Sequence, residues 1–319
     1  MQKKVDNPNT TPIEVDEVKY KLRAAIDTFY DLQQLRIQVG NRLCASFRYG
    51  KDLESGNTED KFIAVLLREY KRVTDTLVEK FDNSQRRLLK AINATDDIKY
   101  IKSAFDYSLI QQYNSLREQE DETNKLIGKL VKEHPMWDRF FADVKGCGTT
   151  MAGICIAYLD VHKARYVSSF WSYAGVGTRV NENGDRVAMS KKATVDVEYV
   201  DANGEIKTNK SIGYNEFLHT KLLGVLGDSF VKLGDDYRKV YDDYKNRYLN
   251  RPDWQQAPAI KLRAHRAAIR QAIKAFLRDL WVEWRSYEGY TIPPSYAEAH
   301  LGLAPHGYNE ADGRVKYEN

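Results

Sequence analysis

Apolar residues recur at spacings of three and four from Val15 through Val18, Leu22, Ile26, Phe29, Leu32, Leu35, Val39 and Leu43 to Phe47. That period predicts one long helix with a single apolar stripe. Thr11-Pro12-Ile13-Glu14 supplies its start: Thr11 caps, Pro12 takes the first helical position and Glu14 closes a capping box. Gly40 interrupts the stripe at some cost to helix propensity, and Gly50 to Asn57 is a turn-rich break. A second helix is predicted from about Glu59 to Lys80, with Phe62, Leu66, Tyr70, Val73 and Leu77 on one face. Shorter helical text runs from Ser84 to Ile92. A third long helix is expected over roughly Asp96 to Lys132, buried through Leu109, Tyr113, Leu116, Leu126, Leu130 and Val131. Its middle, R-E-Q-E-D-E-T-N-K at 117–125, is wholly polar, as on a projecting coiled-coil-like hairpin. His134-Pro135 ends it.

The pattern then shifts. Asp138 to Val144 is an apolar, aromatic helix end that runs into Gly146-Cys147-Gly148. Thr149 and Thr150 stand where a helix cap is expected, and Met151 to Leu159 is a small-residue apolar helix. This is the layout of a helix-hairpin-helix. Glycines permit the tight turn, and turn amides with a helix N-terminus can face a phosphate, with Lys145 alongside. The plainer alternative is a C-cap and a turn. Between Arg186 and Asn209 the period becomes two: Val195, Val197 and Tyr199 alternate with polar residues, Asp201-Ala202-Asn203-Gly204 turns, and Ile206 and Thr208 resume. A β-hairpin follows from this. Lys191, Lys192, Lys207 and Lys210 lie on or beside it, suited to a nucleic-acid groove or equally to a solvated excursion.

Helix returns from Ile212 to Leu233, where Gly224 and Gly227 suggest close packing. Tyr237, Tyr241, Tyr244 and Tyr248 follow on a charged helix, and Pro252 and Pro258 break it. The last long helix, Ala259 to Tyr287, has an apolar side from Ile269 to Trp284 and a basic side formed by Lys261, Arg263, Arg266, Arg270, Lys274 and Arg278. Ala257 to Glu288 holds seven Lys/Arg against three acidic residues, a local +4 that equals the net charge of the whole 319-residue chain. Bulk charge therefore does not announce a nucleic-acid partner, and this helix is the strongest local electrostatic footprint. A solvated helix face is its plainer reading.

Composition narrows the classes further. Three cysteines exclude a disulfide framework and point to a reducing, cytoplasmic setting. No run approaches the roughly 18 apolar residues of a membrane span, so no membrane partner is expected. The six histidines show no zinc-ligand spacing. Phosphate-loop, nucleophile-elbow and dinucleotide fingerprints are missing, so no metal and no cofactor are expected.

Three segments in order carry a resemblance: V-K-G-C-G-T-T-M-A at 144–152, Y-V-S-S-F-W-S-Y-A-G-V-G-T-R at 166–179 and K-S-I-G-Y-N-E-F-L at 210–218. Together with the basic final helix, roughly residues 105–290 resemble the C-terminal transposase domain of pilin-gene-inverting recombinases and guide-RNA-directed insertion-sequence transposases. The resemblance implies DNA recombination in a mobile element, with DNA and guide-type RNA as partners. Two departures stand out. Residues 13–133 are helical where that family has a nuclease-like domain with four metal-binding acids. The positions of its nucleophilic serine fall on Glu182 and Asn183, which cannot form the corresponding link to DNA. Ser190 and Ser211 are the nearest substitutes.

The expected fold is mainly α: residues 1–12 disordered, 13–133 a helical hairpin, bundle or coiled coil, 134–291 a helix-hairpin-helix domain with one β-hairpin at about 187–209, and 292–319 a tail. The leading functional expectation is a transposase-related protein that binds DNA and/or structured RNA without complete recombination chemistry. Its binding residues would be Lys145, Gly146, Gly148, Thr149, Thr150, Arg179, Arg186, Lys191, Lys192, Lys210, Arg263, Arg266, Arg270 and Lys274. The alternatives are an active recombinase with acids from another chain, and a structural protein. Self-association through the N-terminal helices is expected, although an intramolecular bundle would give the same stripes.

Overall fold

The computed structural model describes residues 12–48, 59–80, 85–180, 186–189, 195–201, 204–256 and 258–294. The expected Thr11 cap, the leader up to residue 11 that was expected to be disordered, Glu182, Asn183, Ser190, Lys191, Lys192 and the tail from 295 lie outside the described residues. The chain is mainly helical. Its helices are α1 (Pro12–Arg48), α2 (Glu59–Lys80), α3 (Gln85–Ala94), α4 (Ala104–Glu133), α5 (Met136–Arg139), α6 (Thr149–Tyr158), α7 (Val167–Tyr173), α8 (Glu216–Thr220), α9 (Gly227–Leu233), α10 (Asp236–Leu249) and α11 (Ile260–Tyr287). Among the described residues, four strands form two antiparallel pairs, β1 (Thr178–Val180) with β2 (Arg186–Ala188) and β3 (Val195–Val200) with β4 (Ile206–Ser211). α1 opens at Pro12, one residue inside the stretch expected to be disordered. The chain divides into two compact units, Ala24–Ile127 and Met1–Arg23 with Gly128–Asn319.

In the unit Ala24–Ile127, Leu43, Cys44 and Phe47 of α1 join Phe62, Leu66, Val73 and Leu77 of α2 in one core with Ile101, Tyr107 and Ile110. This end of the α1 stripe is thus buried within one chain. Each such side chain contributes about 1.5–3 kcal/mol on burial. Gly40 has a packing reason: a Cβ there would sit 3.0 Å from the Tyr113 ring.

Two expectations for this unit are corrected. The third long helix begins at Ala104, not near Asp96. Ser103 and Asp106 form a capping box: the Ser103 hydroxyl accepts from the Asp106 amide at 3.1 Å, and the Asp106 carboxylate accepts from the Ser103 amide at 2.9 Å. The preceding segment is irregular and is held by the buried Glu69. That carboxylate accepts the amides of Lys99, Tyr100 and Ile101 at 2.9, 2.8 and 3.1 Å. The polar run 117–125 is not solvated all round either. Glu120 is buried, pairs with Arg36 and accepts from Gln33 at 3.1 Å. The bond to Glu120 raises the Arg36 pKa.

In the other unit, α6 is apolar on every side, and Met151 to Ala157 are all buried. α11 is the second spine, buried from Ala264 to Arg285 along one face. Phe140, Phe141, Phe230, Tyr237 and Phe276 pack as one aromatic cluster with centroids 4.7 to 6.4 Å apart. The expected helix from Ile212 is interrupted. It starts at Glu216, where the Asn215 side chain accepts from the Leu218 amide at 2.9 Å, and it contains a π-helical stretch Lys221–Leu226. The short β1–β2 pair was not foreseen; its strands are only three residues long, too short for alternation to register. The foreseen hairpin is β3–β4, offset to 195–211, and Gly204 turns with φ 82°. No helix among the described residues is long and apolar enough to cross a membrane.

Candidate nucleic-acid interface

The turn after Val144 has the expected geometry at its first glycine. Gly146 has φ 88°, and its carbonyl accepts from the Ser229 hydroxyl at 2.7 Å. A Cβ there would lie 3.1 Å from that hydroxyl, so the left-handed backbone and the close approach both favour glycine. The threonines do not cap. Gly148 is the N-cap of α6, without a side-chain bond, and Thr149 and Thr150 are its first helical residues. Lys145 is exposed but forms an ion pair with Asp235 at 2.5 Å, which raises its pKa, and Asp236 adds to the effect. Its charge is offset locally, so the turn offers a phosphate less than the sequence suggested.

The basic face of α11 divides in two. Lys261, Arg263 and Arg266 are exposed; Lys261 and Arg266 have no carboxylate partner among the described residues, and Arg263 only shares Asp253, whose pKa is lowered first by its bond to Arg251 and further by the Arg263 charge. They crowd the N-terminal end of a helix with no acidic residue in its first turn. The helix dipole already makes that end positive, so these cations are unfavourable to the helix itself and create a local excess of positive potential. The second half turns inward, correcting the expectation of one open strip. Arg270 donates to the Gly175 carbonyl at 2.9 Å, and burial lowers its pKa. Lys274 lies 4.3 Å from the centre of the Trp171 ring; burial first and Arg270 second lower its pKa. Arg278 pairs with Asp279 at 2.8 Å.

Arg270 ties α11 to the Y-A-G-V-G segment. Gly175 has φ 66°, and a Cβ there would meet the Tyr214 ring at 2.6 Å. That motif is thus a packing junction, where His219 Nδ1 also lies 3.0 Å from the Ala174 carbonyl oxygen.

Sequence reasoning missed the aromatic side of this face. α10 and α11 run antiparallel, with Tyr237 donating to Asp279 and Gln271 donating to Tyr248. Trp254 stacks on Tyr248 at 5.0 Å and 13° between planes, and Tyr248 lies 6.0 Å from Tyr244. Arg263 covers the Trp254 ring at 4.2 Å, and Tyr244, Trp171, Gln271, Lys274 and Arg278 line a cleft at the foot of the ladder. The carboxylates of this region are already engaged, Asp243 by Arg247 and Asp253 by Arg251. The sequence signal was the i, i+4 pair Tyr244 and Tyr248 followed by Trp254. It became visible only when α11 brought Arg263 against it.

The remaining candidates are scattered. Lys210 is exposed on β4 directly across from Asp196, and Lys207 pairs with Asp201. Arg179 and Arg186 occupy β1 and β2, with side chains outside the described residues. Ser211 ends β4 exposed, and nothing among the described residues hydrogen-bonds its hydroxyl. No group of three or more His, Cys, Asp or Glu among the described residues could hold a metal ion. In comparison with known proteins, no family model matches the chain, and no curated protein or solved structure matches it.

Proposed function

We propose that this protein binds nucleic acid, DNA and/or structured RNA, and is related to transposases without itself completing recombination chemistry. The observation that carries the binding reading is the group Lys261, Arg263 and Arg266: exposed, with no carboxylate near enough for an ion pair among the described residues beyond Asp253, which Arg251 already holds, and placed where the helix dipole gives them no stabilising role. Phosphates on such a group gain charge-assisted contacts with little reading of sequence. The relation to transposases rests on the order and spacing of the three motif segments. Ser211 has no hydrogen-bonded base among the described residues, so the reading assigns no nucleophile.

The test is retention of nucleic acid by the intact protein, followed by a salt titration of binding. Three phosphate contacts predict a slope of log K against log salt of about −2 to −3. Arg263→Glu with Arg266→Glu should remove most of that slope and weaken binding to every sequence alike. Binding that ignores salt, or a double variant that binds like the parent, would overturn the proposal.

A further inference from the structure

Resting on the nucleic-acid reading, we infer that the α10–α11 face takes single-stranded rather than duplex nucleic acid, by stacking bases on an aromatic and guanidinium ladder. Phosphate affinity alone needs only cations. Here the cations are interleaved with flat surfaces in a fixed order: Arg263 over Trp254 at 4.2 Å, Trp254 on Tyr248 at 5.0 Å and nearly parallel, then Tyr244, then Lys274 over Trp171 at 4.3 Å. Gln271 anchors the Tyr248 hydroxyl at 3.0 Å, and the Trp171 indole donates to the Lys274 carbonyl at 3.0 Å. Tyr248 and Trp171 are thus fixed by hydrogen bonds to α11, and Trp254, in the link between α10 and α11, is held by its stack on Tyr248.

Duplex bases are already stacked on one another and present only edges and phosphates. An aromatic or guanidinium plane gains a partner only from a base that is splayed out. The exposed Arg263 guanidinium is the outer end of the stack. A base can lie on it, or replace it on Trp254 while the arginine moves to the adjoining phosphate. At the other end Lys274, half-buried and with no carboxylate partner among the described residues, faces a cleft walled by Trp171 and Tyr244. A backbone phosphate there would supply the missing counter-charge.

The test uses the full chain and an unstructured labelled oligonucleotide of roughly 16 nucleotides, the upper end of a single-strand site, beside the same sequence annealed as a duplex. Single-strand binding should be the tighter. Trp254→Ala should weaken it roughly 5- to 150-fold, the loss of one stacked base, and leave duplex binding unchanged; Trp254→Phe should restore it. Arg263→Glu, at an exposed position, provides a second variant that does not disturb the core and should weaken single-strand binding more than duplex binding. Equal affinity for strand and duplex, or a Trp254→Ala protein that binds both as the parent does, overturns this inference while the broader nucleic-acid reading stands. Binding to neither form overturns both.

Discussion

Replacing Glu69 by alanine tests whether a single buried carboxylate holds the irregular segment before α4. Glu69 is 5% exposed and accepts three successive amides. Hydrogen bonds to a charged acceptor contribute about 1.5–3 kcal/mol each, but burying the charge opposes this by several kcal/mol. The balance is set by what is left behind. The Lys99 and Tyr100 amides are partly buried and can regain water, whereas the Ile101 amide is buried. One stranded donor costs about 1–3 kcal/mol, and the one lost methylene adds about 0.8 kcal/mol. Glu69→Ala should therefore destabilise the unit by about 3 kcal/mol. Glu69→Gln, which keeps one acceptor oxygen, should cost less. The assay is amide hydrogen exchange at Ile101, supported by urea unfolding. Exchange at Ile101 as slow in Glu69→Ala as in the parent, with a change below about 1 kcal/mol, would refute the reasoning, since a stranded buried donor costs at least that much.

Two further outcomes follow from the structure. A Cβ on Gly227 would lie 2.5 Å from Ile269 Cγ2, while Gly224 has nothing within 4 Å; thermal unfolding should show Gly227→Ala destabilised by about 1–3 kcal/mol and Gly224→Ala unharmed or stabilised by helix propensity. His134 is buried, its Nδ1 accepts from the Met136 amide at 3.2 Å, Nε2 has no hydrogen-bond partner among the described residues, and burial lowers its pKa to about 4. Its neutral form is the folded one, so its contribution is intact above the unfolded pKa near 6.5. It is lost as pH falls towards 4, by on the order of 2–3 kcal/mol. His134→Asn, whose side chain can still accept from an amide two residues on, should flatten stability between those pH values; an unchanged pH profile in that variant would refute the assignment.

The candidate site was legible in charge and not in shape. Arg263 and Arg266 were found because unlike charges were scarce along α11, a property of the chain itself. Arg270 and Lys274 lie on the same helical face in sequence, yet one reaches Gly175 and the other lies over Trp171. Nothing in their spacing distinguishes an inward arginine from an outward one. Lys145 failed for a related reason: Asp235 lies 90 positions away in the sequence and 2.5 Å away in space.

The long helices were legible in the chain, because a period of 3.6 and its stops at His134-Pro135 and Pro258 are local properties that each segment carries unaided, whereas the start of α4 at Ala104 depended on Glu69. The β3–β4 hairpin was legible for the same reason, through alternation around Asp201 and Gly204. The burial of Glu69 and Glu120, the close contact at Gly227 rather than Gly224, and the meeting of Trp254 with Arg263 come from packing between distant segments. Each of these depends on which surface of another segment arrives, and burial, pairing and stacking energies exist only once two distant parts of the chain share the same few ångströms.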